Sequence, residues 1–126
     1  MAYGDIGGPV TELIITCKTA ATGEVAITRG DAVKLSGPYE VDNAITDGDR
    51  IFGQALADCD RNDAAIPVRV RGICNFPFTG TAPSVDGISG VLGATGTGTV
   101  QAGTTGNVVG LIVKVNNTES TLEALL

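Results

Sequence analysis

Tryptophan and histidine are missing from this 126-residue chain, and two Tyr and three Phe are its only aromatics. Without histidine it lacks the side chain that most readily serves as a general base near neutral pH and most often holds zinc. With so few large rings the core has to be built from Val, Ile, Leu and Ala, in thin layers with close backbone approach. A lone subunit packed that way is only marginally stable, so assembly into an oligomer or onto a larger surface would add the burial it lacks. Cations are scarce too: eight Lys and Arg against 14 Asp and Glu leave a net charge of −6, with no basic run. Nucleic acid binding needs a basic footprint that displaces counterions from phosphates, and the balance here has the opposite sign. No apolar run approaches the roughly 18 residues that a membrane helix needs, so no membrane partner is expected. The first residues show neither a basic patch nor an apolar stretch, so synthesis and folding in a cytoplasm are expected.

What the chain has instead is glycine, 18 of them, and a pattern that occurs twice. The first copy reads Gly30-Asp31-Ala32-Val33-Lys34-Leu35, then Glu40-Val41, then Ile51-Phe52-Gly53-Gln54-Ala55-Leu56-Ala57. The second reads Gly90-Val91-Leu92-Gly93-Ala94, then Thr99-Val100, then Val108-Val109-Gly110-Leu111-Ile112-Val113. Each is a short apolar strand, a polar turn, a second strand, another turn, and a strand that opens on two apolar residues and a glycine. Strand-turn-strand repeats with no helical period predict an all-β fold, a small β-barrel or sandwich. Leu13, Ile15 and Cys17 alternate with polar neighbours, and Val33 and Leu35 point inward around Lys34. Gly53 marks a bulge or a place where another backbone comes close. From Ile66 to Phe78 the chain alternates: Ile66, Val68, Val70, Gly72, Cys74, Phe76 and Phe78 share one side, with Ile73 the one apolar residue on the other. A single strand of that length is unusual, so a bend is expected near Gly72, and Pro67 and Pro77 place its ends at a sheet edge. Val108 to Val115 reads as a strand buried on both faces. The organisation expected is an extended N-terminal arm at residues 1–9, one β domain at 10–115, and a C-terminal tail at 116–126. The tail forms either a helical turn or an extended arm.

Candidate chemistry is thin. Asp58-Cys59-Asp60-Arg61-Asn62-Asp63 crowds three carboxylates together, but a calcium loop also needs a glycine turn and a later bidentate Glu, so a solvated loop is expected. Gly93-Ala94-Thr95-Gly96-Thr97-Gly98 lacks the order, the lysine and the following helix of a phosphate cradle and reads as a β-turn region. Cys17, Cys59 and Cys74 match no zinc spacing and read as buried thiols in a reducing compartment, with a Cys59–Cys74 disulfide left open. Asn116-Asn117-Thr118 fits the glycosylation pattern but lacks a secretory context. No acid–base pair and no activated nucleophile emerges, so neither an enzyme nor a bound cofactor or metal is expected. Arg69 and Arg71 fall on the exposed face of the long strand, as solvated charges or as a patch that meets carboxylates on a neighbouring subunit.

Two segments resemble the capsid cement, or head decoration, proteins of tailed bacteriophages: Ile27-Thr28-Arg29-Gly30-Asp31-Ala32-Val33-Lys34-Leu35 and Asp49-Arg50-Ile51-Phe52-Gly53-Gln54-Ala55-Leu56-Ala57. In that family a G-D-x-V strand leads to x-x-I-x-G-x-A, then V-x-V-x-G and a closing x-x-G-x-x-V. Val68-Arg69-Val70-Arg71-Gly72 matches the third element and Val108-Val109-Gly110-Leu111-Ile112-Val113 the fourth. The resemblance spans roughly residues 25 to 115. It implies a β-tulip-like subunit that forms a homotrimer and binds the major capsid protein at the three-fold and quasi-three-fold axes of the expanded shell. Such a subunit is made in the host bacterial cytoplasm and ends on the outer surface of the virion. On this reading the arm and the tail supply the capsid or trimer contacts, through Tyr3, Asp5, Ile6, Pro9, Leu122, Leu125 and Leu126, with Arg69 and Arg71 beside them. A phage tail-tube or head–tail adaptor subunit is the structural alternative. A carbohydrate-binding sandwich is a third reading, disfavoured by the shortage of aromatic rings for sugar stacking.

Overall fold

Alternation of small apolar and polar side chains carries this chain into strands and nothing else. The computed structural model describes residues 12–126, and every regular element among them is a strand. These are β1 (Leu13–Lys18), β2 (Ala32–Gly37), β3 (Glu40–Asp42), β4 (Ala44–Ile45), β5 (Gly53–Ala55) and β6 (Ala65–Arg71). They continue with β7 (Ile73–Pro77), β8 (Gly90–Gly93), β9 (Gly96–Thr97), β10 (Val100–Gly103), β11 (Leu111–Asn116) and β12 (Thr121–Leu125). Five strands close a barrel in the order β1-β3-β2-β5-β6. Beyond it lie the three-stranded sheet β11-β12-β7 and the two-stranded ribbons β8-β10 and β4-β9. The protein is therefore a small all-β barrel with an attached second layer.

Each half has its own core. Val33, Val41, Ile66 and Val68 fill the barrel, while Phe76, Val91, Val100, Ile112 and Leu122 fill the second half. The two copies of the repeat pair alike. In the first, β2 is flanked by β3 and β5, and the Phe52 amide donates to the Val33 carbonyl at 2.8 Å. In the second, β8 is flanked by β10 and by the segment leading into β11, where Val91 and Val109 exchange backbone bonds of 2.9 Å.

The 66–78 segment bends where expected. Its alternation is continuous, but Gly72, at φ 111°, turns the chain from β6 in the barrel to β7 in the second sheet. That dihedral is one a Cβ-bearing residue rarely adopts. Ile66, Val68 and Val70 thus enter one core, and Cys74, Phe76 and Phe78 the other. Gly53 is a close approach, as read from the sequence: a Cβ there would overlap the Arg69 carbonyl and lie 2.8 Å from Val68 Cγ1.

Four expectations are corrected. Pro67 is not at an edge, because β6 lies between β1 and β5; its carbonyl accepts from the Leu56 amide at 3.0 Å while its missing N–H leaves one ladder position unfilled. Pro77, on the outer strand β7, does sit at an edge. Leu35 is 51% exposed rather than buried. It shares the face of Val33 and stands opposite buried Val41, but it ends that inward run just before the bulge at Ser36, where the core no longer covers it. The 108–115 segment is buried on one face only: within β11 Ile112 is buried, while Val113, at the bulge against β12, is 43% exposed. Finally, residues 116–126 are no appended tail. β12 is the middle strand of the three-stranded sheet, paired with β11 on one side and β7 on the other. A tight turn returns the chain, with Asn116 Oδ1 accepting from the Thr118 and Glu119 amides at 3.1 and 3.2 Å. The arm assigned to residues 1–9, with Tyr3, Asp5, Ile6 and Pro9, lies outside the described residues.

Candidate interaction surface

β1 starts and β6 ends at the same end of the barrel, since they run antiparallel with Leu13 opposite Arg71. There the barrel mouth faces the Val108–Gly110 segment and Leu126 of the second half, across a cleft of about 910 Å³. Its walls are apolar: Leu13 and Ile15 from β1, Leu35 from β2, Ile51 and Phe52 before β5, and Val70 from β6. Leu13 and Leu35, at 50% and 51% exposure, leave a large apolar area facing water.

Charge is concentrated at the same place. Among the described residues, Lys34, Arg50 and Arg71 line the cleft with a single acid, Asp49. Three cations therefore meet one acid there among the described residues, a local excess of two positive charges on a molecule of net charge −6. Lys34 is committed, its Nζ donating to Asp49 Oδ2 at 2.9 Å, and the same oxygen accepts from the Thr46 amide at 2.8 Å. Those two bonds, the backbone one foremost, hold the Asp49 carboxyl below its ordinary range. Arg50 and Arg71 have no acidic partner among the described residues. Arg71 makes one internal bond, from Nη1 to the Val70 carbonyl at 2.8 Å.

A second surface is the outer face of the β11-β12-β7 sheet, where Ile73, Leu125 and Leu111 are cross-strand neighbours. Beside this apolar row stand Asn75, Glu123 and Lys114, with Lys114 Nζ 3.9 Å from Glu123 Oε2.

The residues expected to make contacts are scattered by the fold. Arg69 and Arg71 do not form one patch. Arg69 is tied into its own chain, with Nε 3.0 Å from Glu12 Oε1 and Nη1 donating to Gln54 Oε1 and the Ile73 carbonyl at 3.4 Å. Arg71 turns into the cleft. Leu122 cannot meet a partner: it is 1% exposed, packed in the second core. Leu125 stands on the outer sheet face and Leu126 lines the cleft. Sequence reasoning missed Arg50, Lys34, Leu13 and Leu35 as a group. They come from separate elements, so no local spacing could have joined them.

The 58–63 loop is stitched to the far end of the barrel. Asp58 Oδ1 accepts from the Arg29 amide at 2.7 Å, and Asn62 Nδ2 donates to the carbonyls of Ala20 and Gly23 at 2.9 and 3.0 Å. Among the described residues no group of three or more His, Cys, Asp or Glu is placed to hold a metal ion. The three cysteines are free thiols, so Cys59 and Cys74 are not bridged. Burial pushes the Cys74 thiol up to about 11 against the pull of Arg69, and it also raises that of Cys17. Both stay protonated and shielded near neutral pH. An aromatic disulfide reagent should therefore modify Cys59 alone in the folded protein, with the other two reacting only in denaturant. Rapid native labelling of a second thiol would contradict this packing.

No protein-family model matches the chain, and no match was found among curated proteins.

Proposed function

We propose that this protein is a structural subunit of a tailed-phage head, a decoration or cement protein that acts by binding and not by catalysis. As homotrimers it sits on the outer face of the expanded shell at three-fold and quasi-three-fold axes and ties neighbouring copies of the major capsid protein together. It is made in the bacterial cytoplasm and ends on the virion surface. The observation that carries the reading is the cleft at the barrel mouth, an exposed apolar and cationic surface on an otherwise acidic molecule. Exposed apolar area of this kind is characteristic of contact sites. The phage-like segments also support it, since G-D-x-V runs into β2, x-x-I-x-G-x-A includes β5, and V-x-V-x-G is the second half of β6 with the Gly72 bend that follows it. A small barrel present in many copies can make weak individual contacts collectively strong.

The test is co-sedimentation with expanded shells that lack the chain, beside unexpanded shells of the same virus. Saturable binding to expanded shells alone, at a stoichiometry of whole trimers, is the expected result. Absence of binding to either form would sink the reading. Growth of the purified chain into rings or tubes would assign it instead to a tail or adaptor structure built by heterologous contacts.

A further inference from the structure

The barrel is closed unevenly. β1 meets β6 along its whole length, from Leu13 to Lys18. On its other side it meets β3 at one position only, Lys18 opposite Glu40. In an antiparallel pair every second residue directs its N–H and C=O away from the partner. Along Ile14 to Thr16 those groups have no ladder partner among the described residues. This open edge borders the cleft, since Leu13 and Ile15 line it. Three features thus coincide: unpaired backbone, exposed leucines at positions 13 and 35, and the guanidinium groups of Arg50 and Arg71.

An open edge selects an extended chain, because only a strand can satisfy a row of backbone donors and acceptors. The leucines select aliphatic side chains on that strand. The local positive excess, with Lys34 already held by Asp49, selects carboxylates for Arg50 and Arg71. Together they describe one occupant. We propose that an extended segment of the shell protein, aliphatic with interspersed Asp or Glu, adds to the open edge of β1 and fills the cleft, its carboxylates pairing with Arg50 and Arg71. The proposal rests on the decoration reading and names the face that meets the shell.

The test uses the full chain, wild type and Arg50→Glu/Arg71→Glu, against expanded shells at two salt concentrations. Both side chains reach solvent, so the variant is expected to keep the circular dichroism spectrum and melting temperature of the wild type. Its apparent Kd for shells should rise at least about tenfold, and the weakening by salt seen with wild type should largely vanish. Hydrogen exchange on wild type should show the Ile14 and Thr16 amides, which face away from β6, becoming protected when shells are added. Equal binding by wild type and variant overturns the cleft proposal and leaves the decoration reading standing. No binding by wild type removes both. Protection of the same amides in the free protein, lost on deleting residues 1–11, would put the chain's own N-terminal residues on that edge and would also overturn the proposal.

Discussion

Leu122→Ala should lower the stability of the isolated chain by about 3 kcal/mol, read as a shift of the urea midpoint. The side chain is 1% exposed and packs in the core that also holds Phe76, Val91 and Ile112. Shortening it removes apolar burial and leaves a hole that β7 and β11 cannot collapse into, because β12 is hydrogen-bonded to both. For a domain of this size that is a large share of a total on the order of 5–15 kcal/mol. Leu125→Ser, two residues on and 49% exposed, should change stability by no more than about 0.5 kcal/mol. The contrast separates two pictures of residues 116–126. An appended arm predicts that neither substitution disturbs the fold and that both weaken attachment. A central strand predicts a deep loss for Leu122→Ala, and deletion of residues 117–126 should leave a chain that does not fold.

The second large effect concerns the polar knot where the two halves meet. Asn43 is 8% exposed, and its Nδ2 donates to the Ala26 carbonyl at 2.8 Å and to Asp31 Oδ2 at 2.9 Å. The Asn43 backbone carbonyl accepts from the Gly98 amide at 2.8 Å, and the Gly98 carbonyl accepts from the Ala32 amide at 3.0 Å. One residue therefore ties the loop before β2 to the turn after β9. Asn43→Ala leaves a carbonyl and a carboxylate without their shared donor and should cost about 2 kcal/mol. Asn43→Asp keeps the shape but sets a second acceptor against both, and should cost more, about 3 kcal/mol at pH 7.

The pH dependence of that second variant has a definite sign. The neighbouring Asp31 carboxylate raises the folded-state pKa of the introduced carboxyl above its unfolded value of about 3.9. Between those two values the folded state binds the extra proton, so stability relative to wild type rises as pH falls. The deficit is full above the folded-state pKa and disappears below about pH 4. Denaturation at pH 7 and at about pH 4.5 reads it directly; a deficit independent of pH would mean the two side chains do not face each other.

Much of the framework was legible along the chain. Alternation from Ile66 to Phe78 marked every inward residue of β6 and β7, and Gly72 marked the bend, because both are properties of neighbouring residues. Leu35 was misread for the complementary reason. Its spacing gives the face, shared with Val33 and with Val41 opposite it, but whether anything covers that end of the barrel is decided by distant strands. The same holds for Thr121–Leu125, whose alternating Leu122 and Ala124 suit a strand as well as an arm. The Asx turn at Asn116 was the available signal for a hairpin.

Composition and period by themselves determined that this protein is all-β, thinly packed and acidic, and made of two similarly patterned strand sets. Side-chain alternation and turn chemistry act over a few residues, and no competing helical period opposed them. Tertiary structure alone decided that five strands close on themselves, that the last strand is central, and that Arg50, Arg71, Leu13 and Leu35 share one cleft. These depend on which distant edges find each other, and pairing free energy is a property of the assembled surfaces rather than of any segment.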